Sequence, residues 1–470
     1  MNRQKELAKN TIILTVGKIC TQFVSFLLLP LYTSLLEPTE YGIVDLINTY
    51  ITLLTPICNW QFENGLFRFL IDYRNDESKQ KELFSTVFLT NIAQAVLYIV
   101  FFLAFQGFIS IEYKLFLALD VVANIFLNTL LQFPRGVGKN TIYSTGSFLS
   151  ASTTVVFNVI FIAGFRWGAY GMFMATLLAK LVTCVYLFLA MKTWRYFSVN
   201  AYNKTLFRNV FKYSMPLIPN QLSWWVVGAS DRTIVSHFIG VFSNGIYSVA
   251  NKFSTIYVIF YNIFNLSWTE SVSLHMNDSD RDEFLTDIIN TMFNLFAAVD
   301  VGIIACMPFV FKLMVNSKYD EAYYQIPILM VAVLFQVVVG LYSVIYVALK
   351  KSTEIAKTSF FAAIINVGVD LFLIKVIGLY AASISTLVAY AAMAIYRYFD
   401  VRKYVSVRLS SKNLVAAIMS VLISVFVYYT KNPIYCLMSL IYVVIYAVLF
   451  NRDFLISIIK TIESKLLRKK

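Results

Sequence analysis

Charge is scarce in this chain. Asp, Glu, Lys and Arg make up 14% of its 470 residues, against roughly 25% in a soluble globular protein. Histidine is scarcer: the two present, His237 and His275, are too far apart for a ligand pair. The five cysteines, Cys20, Cys58, Cys184, Cys306 and Cys436, fall inside or at the ends of apolar runs at no paired spacing. They read as small buried hydrophobes, which excludes a disulfide framework and a metal site. Enzyme signatures are missing too. No HExxH, CxxC or GxSxG occurs, and PRGVGKNT (134–141) lacks the first glycine and the Ser/Thr of a phosphate-binding loop. No soluble stretch is large enough for a nucleotide domain, so an ATP-driven pump in one chain is excluded. No enzymatic activity and no cofactor are expected.

What is present is apolar length. The chain is 59% hydrophobic with a mean hydropathy of +0.69. Apolar runs cover 11–36, 41–70, 83–106, 113–133, 143–165, 168–191, 209–238, 242–268, 284–314, 323–349, 355–376, 379–400, 411–430 and 433–451. Each is near the ~20 residues that a helix needs to cross ~30 Å of hydrocarbon. The fold class expected is therefore an all-α polytopic membrane protein with about 14 transmembrane helices. The 41 Phe and 30 Tyr suit lipid-facing surfaces and interfacial belts. The basic amino terminus runs into an apolar stretch longer than a signal-peptide core, so an uncleaved first span is expected.

The net charge of +13 would point to nucleic acid in a soluble protein. Here the basic residues cluster in alternate loops: the amino terminus, then Arg68, Arg74, Lys79 and Lys81, then Arg135 and Lys139, then the long 192–212 segment, then Arg281, then Lys350, Lys351 and Lys357, then Arg397, Arg402, Lys403, Arg408 and Lys412, then the tail. Counting them gives about 29 on one side against about six on the other, which predicts two cytoplasmic termini in the cell membrane and no nucleic-acid partner. The acidic 269–283 loop weighs little in this rule.

The chain repeats itself weakly. EYGIVDLINTY (40–50) aligns with SNGIYSVANKF (243–253) at an offset of 203, matching Gly42 with Gly245. GAYGMFMATLLA (168–179) aligns with GLYAASISTLVA (378–389) at an offset of 210. An offset of six spans makes the repeats parallel. The domains expected are an N-lobe over 1–191, a cytoplasmic linker over 192–212, a C-lobe over 213–400, and two further helices with a basic tail over 401–470.

Charges inside spans mark pathways more often than lipid-facing positions. Lys18, Arg68, Arg232 and Lys252 are candidates for a cationic cavity suited to a diphosphate, with Arg binding in a bidentate manner and Lys as a point charge. The alternative is internal pairing with Glu63, Asp231 or Asp45, or snorkelling to an interface. Glu63, Asp231 and Asp300 are candidates for ion or lobe coupling, or else members of structural ion pairs. Pro30, Pro216 and Pro219 remove backbone donors and read as hinges or fixed kinks. Trp224 and Trp225 read either as sugar-stacking platforms or as packing residues.

The segments LPLYTSLLEPTEYGIVDLI, Phe67-Arg68, Pro216-Leu217-Ile218-Pro219, Trp224-Trp225, Ser230-Asp231-Arg232, Gly245-Ile246-Tyr247 and Asn251-Lys252 resemble the Wzx-type oligosaccharide-lipid flippases. These belong to the exporter superfamily that also holds the MATE antiporters. The resemblance implies a MATE-like fold of six plus six plus two helices, with a V-shaped cationic cavity working by alternating access and coupled to an ion gradient. The cargo it implies is an undecaprenyl-diphosphate-linked oligosaccharide for surface polysaccharide. It assigns Lys18, Arg232 and Lys252 to diphosphate contact and Asp231 to lobe coupling. Membrane lipids and polysaccharide polymerase or assembly proteins are the partners implied, with the chain a monomer. A MATE-like cation-coupled drug or metabolite antiporter is the alternative, and it would line the cavity with acids.

Overall fold

Long apolar runs become long helices, because a backbone away from water must satisfy its own polar groups. The computed structural model describes residues 26–108, 112–349, 351–452 and 456. The predicted first span, 11–36, falls mostly outside them. Helices account for nearly all of the described residues, with short 3₁₀ and π turns between them. Ten of these helices are long and apolar enough to cross a membrane. The predicted spans 209–238, 242–268 and 379–400 also form long helices, but buried polar residues lower their hydropathy.

The first compact unit runs to Ser248. After α1 (Leu29–Leu35), helix α2 (Pro38–Cys58) opens with a capping box between Glu37 and Glu40 and with Pro38 at its first position. There the missing N–H is one the helix could not have used. The predicted span 41–70 is not continuous. Trp60 and Gln61 adopt φ of 53° and 58°, in the left-handed region, and Asn59 Oδ1 accepts the Gln61 N–H at 2.9 Å. The chain restarts as α3 (Phe62–Asp72). Then follow α4 (Glu77–Phe105), α5 (Lys114–Gly136), α6 (Asn140–Asn158, extended by a π turn to Gly164) and α7 (Gly168–Ala190).

Two apolar clusters hold this unit. One joins Phe62, Leu66 and Leu70 of α3 to Phe84, Phe133 and Leu187. The other joins Val44, Ile47 and Ile51 of α2 to Val121, Ile125 and Phe173. Between α5 and α7, Lys180 Nζ lies 2.8 Å from Asp120 Oδ1, with the two side chains 13% and 0% exposed. Lys180→Met would strand the buried carboxylate and should destabilise the folded protein by about 3–5 kcal/mol. Thermal unfolding in detergent checks this, and the Lys180→Met/Asp120→Leu double variant should recover most of the loss.

The 192–212 segment, predicted as a polar linker, contains two 3₁₀ turns and an amphipathic helix, α8 (Lys204–Ser214). Asn203 caps α8 by accepting the Thr205 and Leu206 N–H groups, and Leu206 and Val210 join the α3 cluster. Pro216 and Pro219 do not bend a helix from within. Pro216 is the N-cap of α9 (Leu217–Phe238) and Pro219 lies in its first turn, where backbone donors have no intrahelical acceptor. Pro30 likewise sits in the first turn of α1. Packing divides the chain at Ser248, inside α10 (Val241–His275), rather than at the linker.

The second unit, from Val249, contains α11 (Arg281–Met314), α12 (Ala322–Ala348), α13 (Ser352–Ile377), α14 (Tyr380–Val401), α15 (Ser411–Thr430) and α16 (Pro433–Phe450). Helix α12 packs on α14 and α11, while α15 and α16 pack on α11. Arg397, grouped with a basic loop by sequence, is fully buried on α14. Its guanidinium donates to Thr358 Oγ1 at 2.7 and 3.0 Å, to the Val339 carbonyl at 3.2 Å, and to Ser343.

Candidate functional site

The first unit brings α2, α9 and the first turns of α10 together around two glycines. A Cβ on Gly42 would overlap the Val241 carbonyl oxygen and sit 2.8 Å from Gly245 N. A Cβ on Gly245 would overlap the Pro38 carbonyl oxygen and sit 3.1 Å from Gly42 N. Only glycine lets the two backbones approach this closely. The offset of 203 that pairs Gly42 with Gly245 also pairs Pro38 with Val241. The two contacts are therefore exchanged by the repeat, so a weak sequence match becomes a symmetric helix crossing. Asn244 Nδ2 reinforces it by donating to the Gly42 carbonyl at 2.9 Å.

Below the crossing, α2 and α9 run antiparallel. Asp45 and Thr49 are one turn apart on α2, and Trp225 and Arg232 are two turns apart on α9, so each pair shares a face. Trp225 Nε1 donates to the Thr49 carbonyl at 3.0 Å. Arg232 Nε lies 3.0 Å from Asp45 Oδ2, the side chains being 18% and 16% exposed. Neither of these two atoms makes an aligned hydrogen bond, so the pair is held by charge. Arg232 Nη1 donates to the Gly228 carbonyl at 3.2 Å. Asp231 is buried and accepts from Tyr247 Oη and from the Arg232 N–H at 2.9 Å. A charge pair in a weakly polar setting, with poor hydrogen-bond alignment, is one that a competing anion can open.

Arg68 and Glu63 lie on α3. Arg68 is 49% exposed and pairs with Asp72 at 2.9 Å. Glu63 is buried at the start of α3 and accepts from Asn59 Nδ2 at 2.7 Å. Trp224 is half-buried. In the second unit, Lys252 is half-buried on α10. Asp300 is fully buried on α11, and neither of its oxygens has a hydrogen-bond partner among the described residues. Lys18 lies outside the described residues. Among the described residues no cluster of three His, Cys, Asp or Glu side chains is placed to hold a metal. The reading from sequence missed the roles of Tyr247, Asn244 and Thr49. The Gly42–Gly245 alignment was the signal that could have found the crossing.

Residues 7–274 match the model of the family described as Polysaccharide biosynthesis protein. A relative in Haemophilus influenzae, the Lsg locus putative protein 1, is 23% identical over 252 residues, which cover 53% of this chain and 61% of that protein. Among solved structures, the lipid II flippase MurJ in an inward closed conformation aligns with a TM-score of 0.71 at 16% identity, covering 96% of this chain and 100% of the other. A multidrug resistance MATE family transporter of the MOP superfamily, in its inward-facing conformation, aligns with a TM-score of 0.70 at 14% identity, covering 82% and 94%. These likenesses show the expected MATE-like fold.

Proposed function

This chain belongs to the polysaccharide biosynthesis protein family, and we propose that it translocates an undecaprenyl-diphosphate-linked oligosaccharide repeat unit across the cytoplasmic membrane. The step is alternating access, coupled to an ion gradient, and it feeds surface polysaccharide assembly. Family membership carries this reading, and the Arg232 network supports it. A diphosphate entering a low-dielectric interior needs a fixed cation, and a guanidinium offers it a bidentate donor fork. Arg232 waits paired with Asp45 at 3.0 Å, and the diphosphate competes with Asp45 for it. Asp231, held by Tyr247, fixes the backbone beside the guanidinium. Asp300, buried without a hydrogen-bond partner among the described residues, is our assignment for the coupling ion. The chain does no covalent chemistry in this reading, and both termini are cytoplasmic.

A strain lacking the chain tests the reading. It should accumulate one polyprenyl-diphosphate oligosaccharide on the cytoplasmic leaflet and lose the corresponding surface polysaccharide, with both restored by the wild-type chain. Normal surface polysaccharide and no accumulated lipid would overturn it.

A further inference from the structure

A polar cavity of about 360 Å³ opens beside the break between α2 and α3. Gln61, Glu63, Asn64, Asn124, Asn128 and Gln221 line it. This is an unusual wall for a membrane interior, where each polar group without a partner is costly. Asn124 and Asn128 are one turn apart on α5, on a stripe of four-residue spacing that runs from Asp120 to Gln132. They make no hydrogen bond to other described residues, and Gln221 of α9 makes none either.

The orientation of the amides discriminates among ligands. Asn59 Oδ1 accepts the Gln61 N–H at 2.9 Å, so it is the Asn59 amino group that faces Glu63, at 2.7 Å. Asn64 Nδ2 donates to Gln61 Oε1 and reaches Glu63 Oε1 at 3.5 Å. The carboxylate is thus surrounded by N–H donors. A cation site needs the reverse, several oxygens turned inward at short range. Nor is this an anion site, because no Lys or Arg lines the cavity. What fits a mixed set of amide donors and acceptors is a neutral ligand that carries many hydroxyls. The volume falls within the ~300–1,000 Å³ of small-molecule pockets, far larger than a bare ion requires.

We propose that this cavity is the sugar subsite: it takes pyranose rings of the carried oligosaccharide, with Asn124 and Asn128 binding neighbouring hydroxyls. The left-handed turn at Trp60 and Gln61 creates it, since a continuous helix would keep these backbone and amide groups internally occupied. The inference rests on the flippase reading and refines it.

Binding to the purified full chain in lipid nanodiscs tests it. The probes are bare undecaprenyl diphosphate and the polyprenyl-diphosphate oligosaccharide isolated from cells lacking the chain. The wild type should prefer the glycosylated lipid at least about tenfold, roughly the effect of one or two hydrogen bonds. Asn124→Leu/Asn128→Leu should bring the ratio near one while binding of the bare lipid stays within about twofold. Asn124→Ala/Asn128→Ala should do the same if the leucines disturb folding. The subsite is overturned, and the flippase reading stands, if the wild type binds both lipids equally or if the asparagine variants retain the preference. Sodium-dependent binding lost in Glu63→Gln would instead make the cavity a cation site and also overturn the proposal. If the wild type binds neither lipid, the flippase reading fails first.

Discussion

Gly42→Leu should lower transport of lipid-linked oligosaccharide by at least about fivefold, and Gly245→Leu should match it. The first β-carbon atom already collides with backbone: the Val241 carbonyl oxygen in one case, the Pro38 carbonyl oxygen in the other. A backbone carbonyl cannot rotate aside as a long side chain can, so the helices must separate. Separation breaks the 2.9 Å bond from Asn244 to the Gly42 carbonyl. It also draws Asp45, one turn further along α2, away from Arg232. Overpacking of about 1–3 kcal/mol corresponds to roughly 5- to 150-fold in the population of the closed crossing. Gly368→Ala is the control. On α13, no atom lies within 4 Å of a Cβ built there, so its transport should stay within about twofold, in line with a substitution that touches nothing. Equal losses at Gly42 and Gly245 would show that the crossing works as one symmetric contact.

Arg232→Gln and Asp45→Asn should move binding in opposite directions. Arg232→Gln removes the cation that meets the diphosphate. Charge-assisted hydrogen bonds contribute about 1.5–3 kcal/mol, so binding of undecaprenyl diphosphate should weaken roughly 10- to 150-fold. Asp45→Asn removes the competitor at 3.0 Å. The guanidinium is then free for ligand, and binding should tighten by about tenfold while turnover falls, because nothing reclaims Arg232 on release. Arg232→Lys keeps the charge but loses the donor fork, and it should fall between the wild type and Arg232→Gln. Equilibrium binding to nanodiscs and initial transport rates separate the two effects. Loss of binding in Asp45→Asn would mean the pair is structural and does not compete with ligand.

The helices were legible from apolar length because a bilayer imposes one length on every span. The interruption at Asn59–Gln61 was not, since a hydropathy window averages over three residues whose left-handed turn depends on a local side-chain cap. Asp45, Asp231 and Arg232 stood out in sequence as charges within spans. Which of them pair stayed open among alternatives, because which residue of α2 faces which residue of α9 depends on the register of two helices distant in the chain. The one interhelical register cue lay in the repeat: Gly42 and Gly245 aligned in sequence and proved to face each other. Arg397 read as a loop cation because it is near a helix end, yet neutral oxygens of neighbouring helices bury it. Arg68 read as a cavity candidate or as one half of an internal pair, and it pairs with Asp72 on the exposed face of α3. The amides of the Glu63 cavity went unnoticed because uncharged residues are inexpensive enough to pass any charge count.

The most direct test uses proteoliposomes holding the purified chain and a fluorescent undecaprenyl-diphosphate oligosaccharide in the outer leaflet. Transfer is read by a quencher that cannot cross the bilayer. The expected result is protein-dependent loss of quenchable signal, strongly reduced by Arg232→Gln and preserved by Gly368→Ala. Transfer no faster than in empty liposomes, or equal transfer by wild type and Arg232→Gln, would contradict the account.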